Sequence, residues 1–106
     1  MLLNSRKIDG IFVPSACTGE VAEIISSEGK SDKIHLIGFD PTIENIKKLK
    51  DGTIDILISQ RSDLMGYKGI YFLFNHVVLK KEIPKELITP IDILIKENIE
   101  FYRNHF

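Results

Sequence analysis

Three short apolar runs stand out along the chain, at residues 8–13, 34–39 and 54–59. They are rich in Ile, Val and Phe and are bounded by Gly, Pro, Asp or Ser. That pattern predicts buried β-strands. Their centres lie roughly 20 to 25 residues apart, the spacing of βαβ units. The intervals carry helical periodicity. In the first, Val21, Ala22, Ile24 and Ile25 fall on one face, with Glu20, Glu23 and Glu28 mostly opposite, and Gly29 supplies a stop. In the second, Ile43, Ile46 and Leu49 recur at three-residue steps, Lys47, Lys48 and Lys50 lie outside, and Asp51-Gly52 ends the helix as a turn. Continuous apolar strands alternating with amphipathic helices predict an α/β domain. Its parallel sheet should carry helices on both faces, joined by right-handed crossovers.

A longer helix is expected over residues 63–79. Leu64, Tyr67, Ile70, Tyr71, Leu73, Phe74, Val77 and Val78 make it apolar over a wide arc, and such a helix is normally buried on more than one side. Lys80-Lys81-Glu82 and Pro84 close it. Residues 88–95 read as a further strand that Pro90 demotes to an edge or an irregular crossing. Residues 98–105 suit a short terminal helix. Met1-Leu2-Leu3 looks like the tail of a helix begun upstream, so the sequence is expected to be part of a longer domain.

Charge narrows the function classes. The chain has 106 residues, with 14 Lys plus Arg against 15 Asp plus Glu. A net charge of -1 argues against a nucleic-acid-binding domain, which normally carries a basic excess. The single cysteine, Cys17, rules out an internal disulfide framework. No run approaches the roughly 18 apolar residues of a membrane span, so no membrane partner is expected. The start turns charged too soon for a signal peptide.

In open parallel sheets, ligands bind beyond the carboxyl ends of the strands. That rule selects residues 14–18, 39–42 and 59–61. Together they offer hydroxyls, a carboxylate, an amide and a guanidinium, an inventory for a polyhydroxylated ligand. Asp40 is the central candidate, because a carboxylate accepts paired hydrogen bonds from adjacent hydroxyls. Asp before Pro41 also suits a helix cap, and the two roles are compatible. Gln60 is a ligand amide or a strand-end amide bonded to backbone. Arg61 faces an anionic ligand or pairs with Asp63. Phe39 stacks on a sugar ring or belongs to the core. Cys17 reads as a buried or incidental thiol, and the lysine clusters as solvated faces. His35, His76 and His105 match no metal spacing. No dinucleotide fingerprint, phosphate loop or nucleophile elbow is present, so neither a cofactor nor an enzyme is expected. Two other classes remain open. One is a small domain with Asp40 as phosphoacceptor, although the first strand ends in Val13-Pro14-Ser15 without the acid a magnesium site needs. The other is a purely structural oligomerisation module.

Taken in order, these segments resemble one known group. Ile8-Asp9-Gly10-Ile11-Phe12-Val13, then Ile37-Gly38-Phe39-Asp40, then Gly52-Thr53-Ile54 leading to Ile58-Ser59-Gln60 and Gly66, look like the C-terminal part of a sugar-binding module. Lactose-repressor (LacI) family regulators share that module with periplasmic sugar-binding proteins. Pro90-Ile91-Asp92-Ile93 through Lys96-Glu97-Asn98 resembles its closing segment, and is more like regulators than transport receptors. The resemblance implies two α/β lobes joined by three crossovers, with a small effector, a sugar, held in the cleft. Residues 1–60 then form the C-terminal lobe, and residues 61–106 a crossover helix and terminal segment packing on the other lobe. Asp40 matches the family's ligand carboxylate, Gln60 its polar crossover residue and Phe39 its neighbouring aromatic. Ser15 falls where the family usually has Asn, and Arg61 extends the polar rim. The implied protein is a cytoplasmic transcription regulator that contacts DNA only through an upstream helix-turn-helix domain not in this sequence. Without the other lobe, Tyr67, Ile70, Tyr71 and Phe74 are exposed, and a homodimer is expected.

Overall fold

A computed structural model describes residues 7–103. Each apolar run forms a strand shorter than the run itself: β1 (Gly10–Phe12), β2 (His35–Phe39) and β3 (Ile56–Ser59). β1 pairs with β2 in parallel, placing Gly10 beside His35 and Phe12 beside Ile37. β2 pairs with β3 in parallel, placing Ile37 beside Ile56 and Phe39 beside Ile58. A short fourth strand, β4 (Asp92–Leu94), follows Pro90 and completes the sheet in the order β1-β2-β3-β4. It lies at an edge of the sheet.

Helix α1 (Thr18–Ser27) joins β1 to β2, and α2 (Ile43–Lys50) joins β2 to β3. The expected stop at Gly29 is present. Its φ of +68°, the left-handed region, lets Gly29 N–H bond Ser26 C=O at 3.0 Å and Lys30 N–H bond Ile25 C=O at 3.1 Å. These two bonds satisfy carbonyls that the helix end would leave open. The start of α2 differs from the sequence expectation. Its cap is Thr42, not Asp40: the Thr42 hydroxyl accepts from Asn45 N–H at 3.1 Å. Asp40 has φ +73°, so the chain turns there and Pro41 stays outside the helix.

The chain divides into two compact units. The first comprises the described residues up to Ser59 together with those from Ile93 onward, and the second is Gln60–Asp92. The segment from Ile93 onward belongs to the first unit. Leu94 and Ile99, the latter opening the short helix α4 (Ile99–Arg103), are buried with Ala22, Ile25, Leu36, Leu49 and Leu57. Burying each Leu or Ile contributes about 1.5–3 kcal/mol, which holds the segment on this core.

Within the first unit, α1 packs on β2, α2 packs on β3, and the two helices touch. They therefore share one face of the sheet. Three strands added side by side in sequence order, with right-handed crossovers, dictate this. Along β2, Leu36 and Gly38 are buried beneath the helices, whereas His35, Ile37 and Phe39 point the other way and are exposed or half-buried. The α/β class with parallel strands is as expected, and the helices of this unit cover one side of it. Lys48 Nζ lies 2.6 Å from Glu23 Oε2 between α2 and α1, and this hydrogen bond raises the Lys48 pKa.

In the second unit, α3 (Ser62–Val77) occupies the expected position. None of its residues is buried. Leu64, Lys68, Phe72 and Asn75 are half-buried, and a groove lined by Met65, Lys68, Gly69, Phe72, Leu87 and Thr89 separates the helix from the extended segment after it. Tyr67 is 62% exposed and Ile70 74%. Burial on more than one side, expected from the width of the apolar arc, is not found within the unit. The exposure of Tyr67, Ile70, Tyr71 and Phe74 is. Met1-Leu2-Leu3 and the end of the terminal segment at residues 104–106 lie outside the described residues.

Candidate functional site

The candidate rim of the first unit lies where β1 and β2 end. After β1, Val13 N–H still bonds Ile37 C=O at 2.9 Å, and then Pro14 turns the chain into α1. Ser15 is exposed, and its hydroxyl accepts from Cys17 N–H at 3.3 Å in a local turn. Thr18, fully buried, donates its hydroxyl proton to Ser15 C=O at 2.9 Å and accepts from Phe39 N–H at 3.2 Å. This contact requires Gly38. A Cβ built on Gly38 would lie 2.0 Å from Thr18 Oγ1.

β2 then delivers Phe39 and Asp40. The Phe39 ring meets the Phe12 ring edge-to-face, with centroids 5.8 Å apart. Phe12 is 57% exposed, so the pair forms an open aromatic ledge on the face away from α1 and α2. Asp40 is half-buried, and its N–H bonds Ile58 C=O at 2.9 Å. Among the described residues its carboxylate takes no hydrogen-bond or ion-pair partner. Asn45, 1% exposed, sends its side-chain amide to the carbonyls of Ala16 (3.2 Å), Phe39 (3.1 Å) and Asp40 (2.8 Å). The loop after β1 and the loop after β2 are thereby tied together.

Of the sequence-selected residues, Ser15, Phe39 and Asp40 fall on this rim. Gln60 and Arg61 open the second unit and are described within it. Gln60 is exposed. Arg61 does not pair with Asp63. Its Nε donates to Asp92 Oδ2 at 2.6 Å and a terminal nitrogen donates to Asp92 Oδ1 at 3.1 Å. This two-point bond joins the first and last parts of the second unit. It matches the planar guanidinium to a carboxylate that the sequence separates by 31 residues. Phe12 and Asn45 lie outside the segments selected from the sequence, and Thr18 lies inside the first of them with no role of its own assigned. The alternation along residues 8–13 held the signal for Phe12, since residues two apart share a sheet face. An Asn three residues after a capping Thr was the signal for Asn45. No local signal marks the Thr18–Phe39 contact, because the packing of α1 on β2 makes it. Among the described residues, no group of three or more His, Cys, Asp or Glu is placed to hold a metal ion. No helix of the described residues is long and apolar enough to cross a membrane.

Residues 1–82 match a family model described as a periplasmic binding protein domain. No curated protein matches the chain. Among solved structures, a LacI-like regulator from Bacteroides fragilis is 33% identical, with a TM-score of 0.83, and the match covers 89% of this chain and 32% of that one. A carbohydrate transporter solute-binding protein from Agrobacterium radiobacter, in complex with D-arabinose, is 27% identical with a TM-score of 0.85, covering 98% of this chain and 35% of that one. An ABC transporter solute-binding protein from Agrobacterium vitis with bound D-fucose is 30% identical with a TM-score of 0.80, covering 87% and 32%. The chain thus spans about a third of the length of these structures.

Proposed function

The chain belongs to the periplasmic binding protein domain family, and we propose that its role is to hold a small carbohydrate effector at the Asp40 rim. The observation that carries this reading is the Asp40 carboxylate, unpartnered among the described residues, at a strand end beside the Phe39–Phe12 ledge. Two adjacent sugar hydroxyls donate to its two oxygens, and the apolar face of a pyranose ring lies on an aromatic. Ser15 adds a hydroxyl. Arg61, engaged by Asp92, is assigned a fastening role in place of a ligand contact. The function is binding, without catalysis.

The parent activity we infer is sugar-responsive transcription control in the cytoplasm, in which effector binding shifts the DNA affinity of an upstream helix-turn-helix domain. The 33% identity to a LacI-like regulator supports it, as does the closing segment at residues 90–98. A second reading, a periplasmic receptor for sugar transport, is favoured by the sugar-bound solute-binding proteins among the matches.

Thermal unfolding against D-arabinose and D-fucose tests the binding reading. A ligand at one hundred times its Kd adds about 2.7 kcal/mol to the native state, a shift of roughly ten degrees or more for a domain of this size. Asp40→Ala abolishes the shift. If no sugar moves the wild-type transition, the carbohydrate reading fails. Cell fractionation separates the two parent activities: recovery in the cytoplasm supports the regulator, recovery in the periplasm the receptor.

A further inference from the structure

Asn45 has no role in the sequence reading, yet it is among the most deeply buried polar groups described. It occupies the third position of α2 after the Thr42 cap, and side chains there lean back toward the helix N-terminus. Its two amide protons reach three carbonyls, at Ala16, Phe39 and Asp40, the nearest being Asp40 at 2.8 Å. The space around it is filled: a Cβ built on Gly19 would lie 2.6 Å from Asn45 Oδ1. Asp40 is in the left-handed region, at φ +73°, a conformation that costs a non-glycine residue free energy and persists where the surroundings hold it. Its N–H is held by Ile58 and its C=O by Asn45. The Asp40 backbone, and with it the Cα–Cβ direction of its side chain, is thus held by a bond on each side, and Asn45 supplies one of them.

We propose that Asn45 is the positioning residue of the carbohydrate rim, acting through the left-handed backbone of Asp40. The inference rests on the carbohydrate reading for its consequence, and on backbone geometry for its cause. The two are separable by experiment. NMR of the full chain reports the Asp40 backbone without any ligand, through its intraresidue N–H to Hα contact and one-bond Cα–Hα coupling. In Asn45→Ala the left-handed signature of Asp40 is lost, while the dispersed signals of Leu36 and Leu57 remain as evidence of fold. Asn45→Asp is the second variant. Its side chain donates to those carbonyls only while protonated, so the signature is present at low pH and disappears as pH rises. D-arabinose affinity then reads the consequence. Asn45→Ala weakens binding tenfold or more in the wild-type background and less than twofold when Asp40 is already Asn, the non-additivity expected of residues acting as one unit. Retention of the left-handed signature in Asn45→Ala overturns the proposal, as does an equal loss of affinity in both backgrounds. If the wild type binds no sugar while the signature still depends on Asn45, the carbohydrate reading has failed and the backbone role stands.

Discussion

Gly38 shows how tightly one residue is specified. The buried Thr18 side chain occupies the space where any Cβ at position 38 would go, and its hydroxyl bridges Ser15 C=O and Phe39 N–H. Gly38→Ala must push Thr18 aside, losing both bonds or distorting β2. Overpacking of this kind costs about 1–3 kcal/mol. The expected result is a melting temperature lower by several degrees or more, measured by circular dichroism. An unchanged transition would mean that Thr18 moves freely and does not tie the two loops. Asp40 and Arg61 carry a related lesson. Each is a non-glycine residue with positive φ, at 73° and 51°, and each follows closely on a parallel strand. Sequence reading identified both as chemically interesting. It did not show that Asp40 leaves capping to Thr42, or that Arg61 reaches Asp92.

At the level of elements, α3 is the anomaly. A 16-residue helix with no buried residue leaves Tyr67, Ile70, Tyr71, Leu73, Phe74 and Val77 in contact with water. Counting 100° per residue, these side chains span one continuous arc, while the half-buried Leu64, Lys68, Phe72 and Asn75 lie opposite. Contiguous apolar surface of that extent drives association. The chain is therefore expected to self-associate with rising concentration, observed as a growing mass in light scattering across the micromolar range. Ile70→Lys with Phe74→Lys should return it to a monomer without lowering the stability of the first unit. A monomer at all concentrations would count against this. The connections α1 and α2 behave differently, because Ala22, Ile25 and Leu49 bury their apolar faces against β2 and β3. Raised basicity of Lys48 by Glu23 adds a small term linking them. It is present at neutral pH and fades as pH climbs past the unfolded lysine value toward the folded one.

For the whole molecule, all nine buried hydrophobic side chains described lie in the first unit, and the second has none. Local stability follows buried apolar contacts. Amide hydrogen exchange should therefore show α3 exchanging orders of magnitude faster than β2 and β3. Comparable protection in both would show that the second unit is stabilised by more than its own contacts. Leu57→Ala, at the centre of the core, should cost about 2–5 kcal/mol. It should accelerate exchange throughout the first unit.

The sequence by itself determined the elements, their order and the α/β class. Apolar runs of strand length, helical periodicity between them, and Gly29 and Asp51-Gly52 as stops are local signals, and local signals survive without knowledge of neighbours. It also selected Asp40 and Phe39, because ligands gather at the ends of parallel strands. Only the tertiary structure decided what each of these residues touches. Phe12 joins Phe39 through strand pairing, Thr18 requires Gly38 through a helix packed on a strand, Asn45 joins two loops 29 residues apart in one case, and Asp92 claims Arg61 across 31. The return of residues from Ile93 onward to the first core is of the same kind. Such contacts depend on which surfaces meet once the sheet has formed, and periodicity along a single chain carries no record of that.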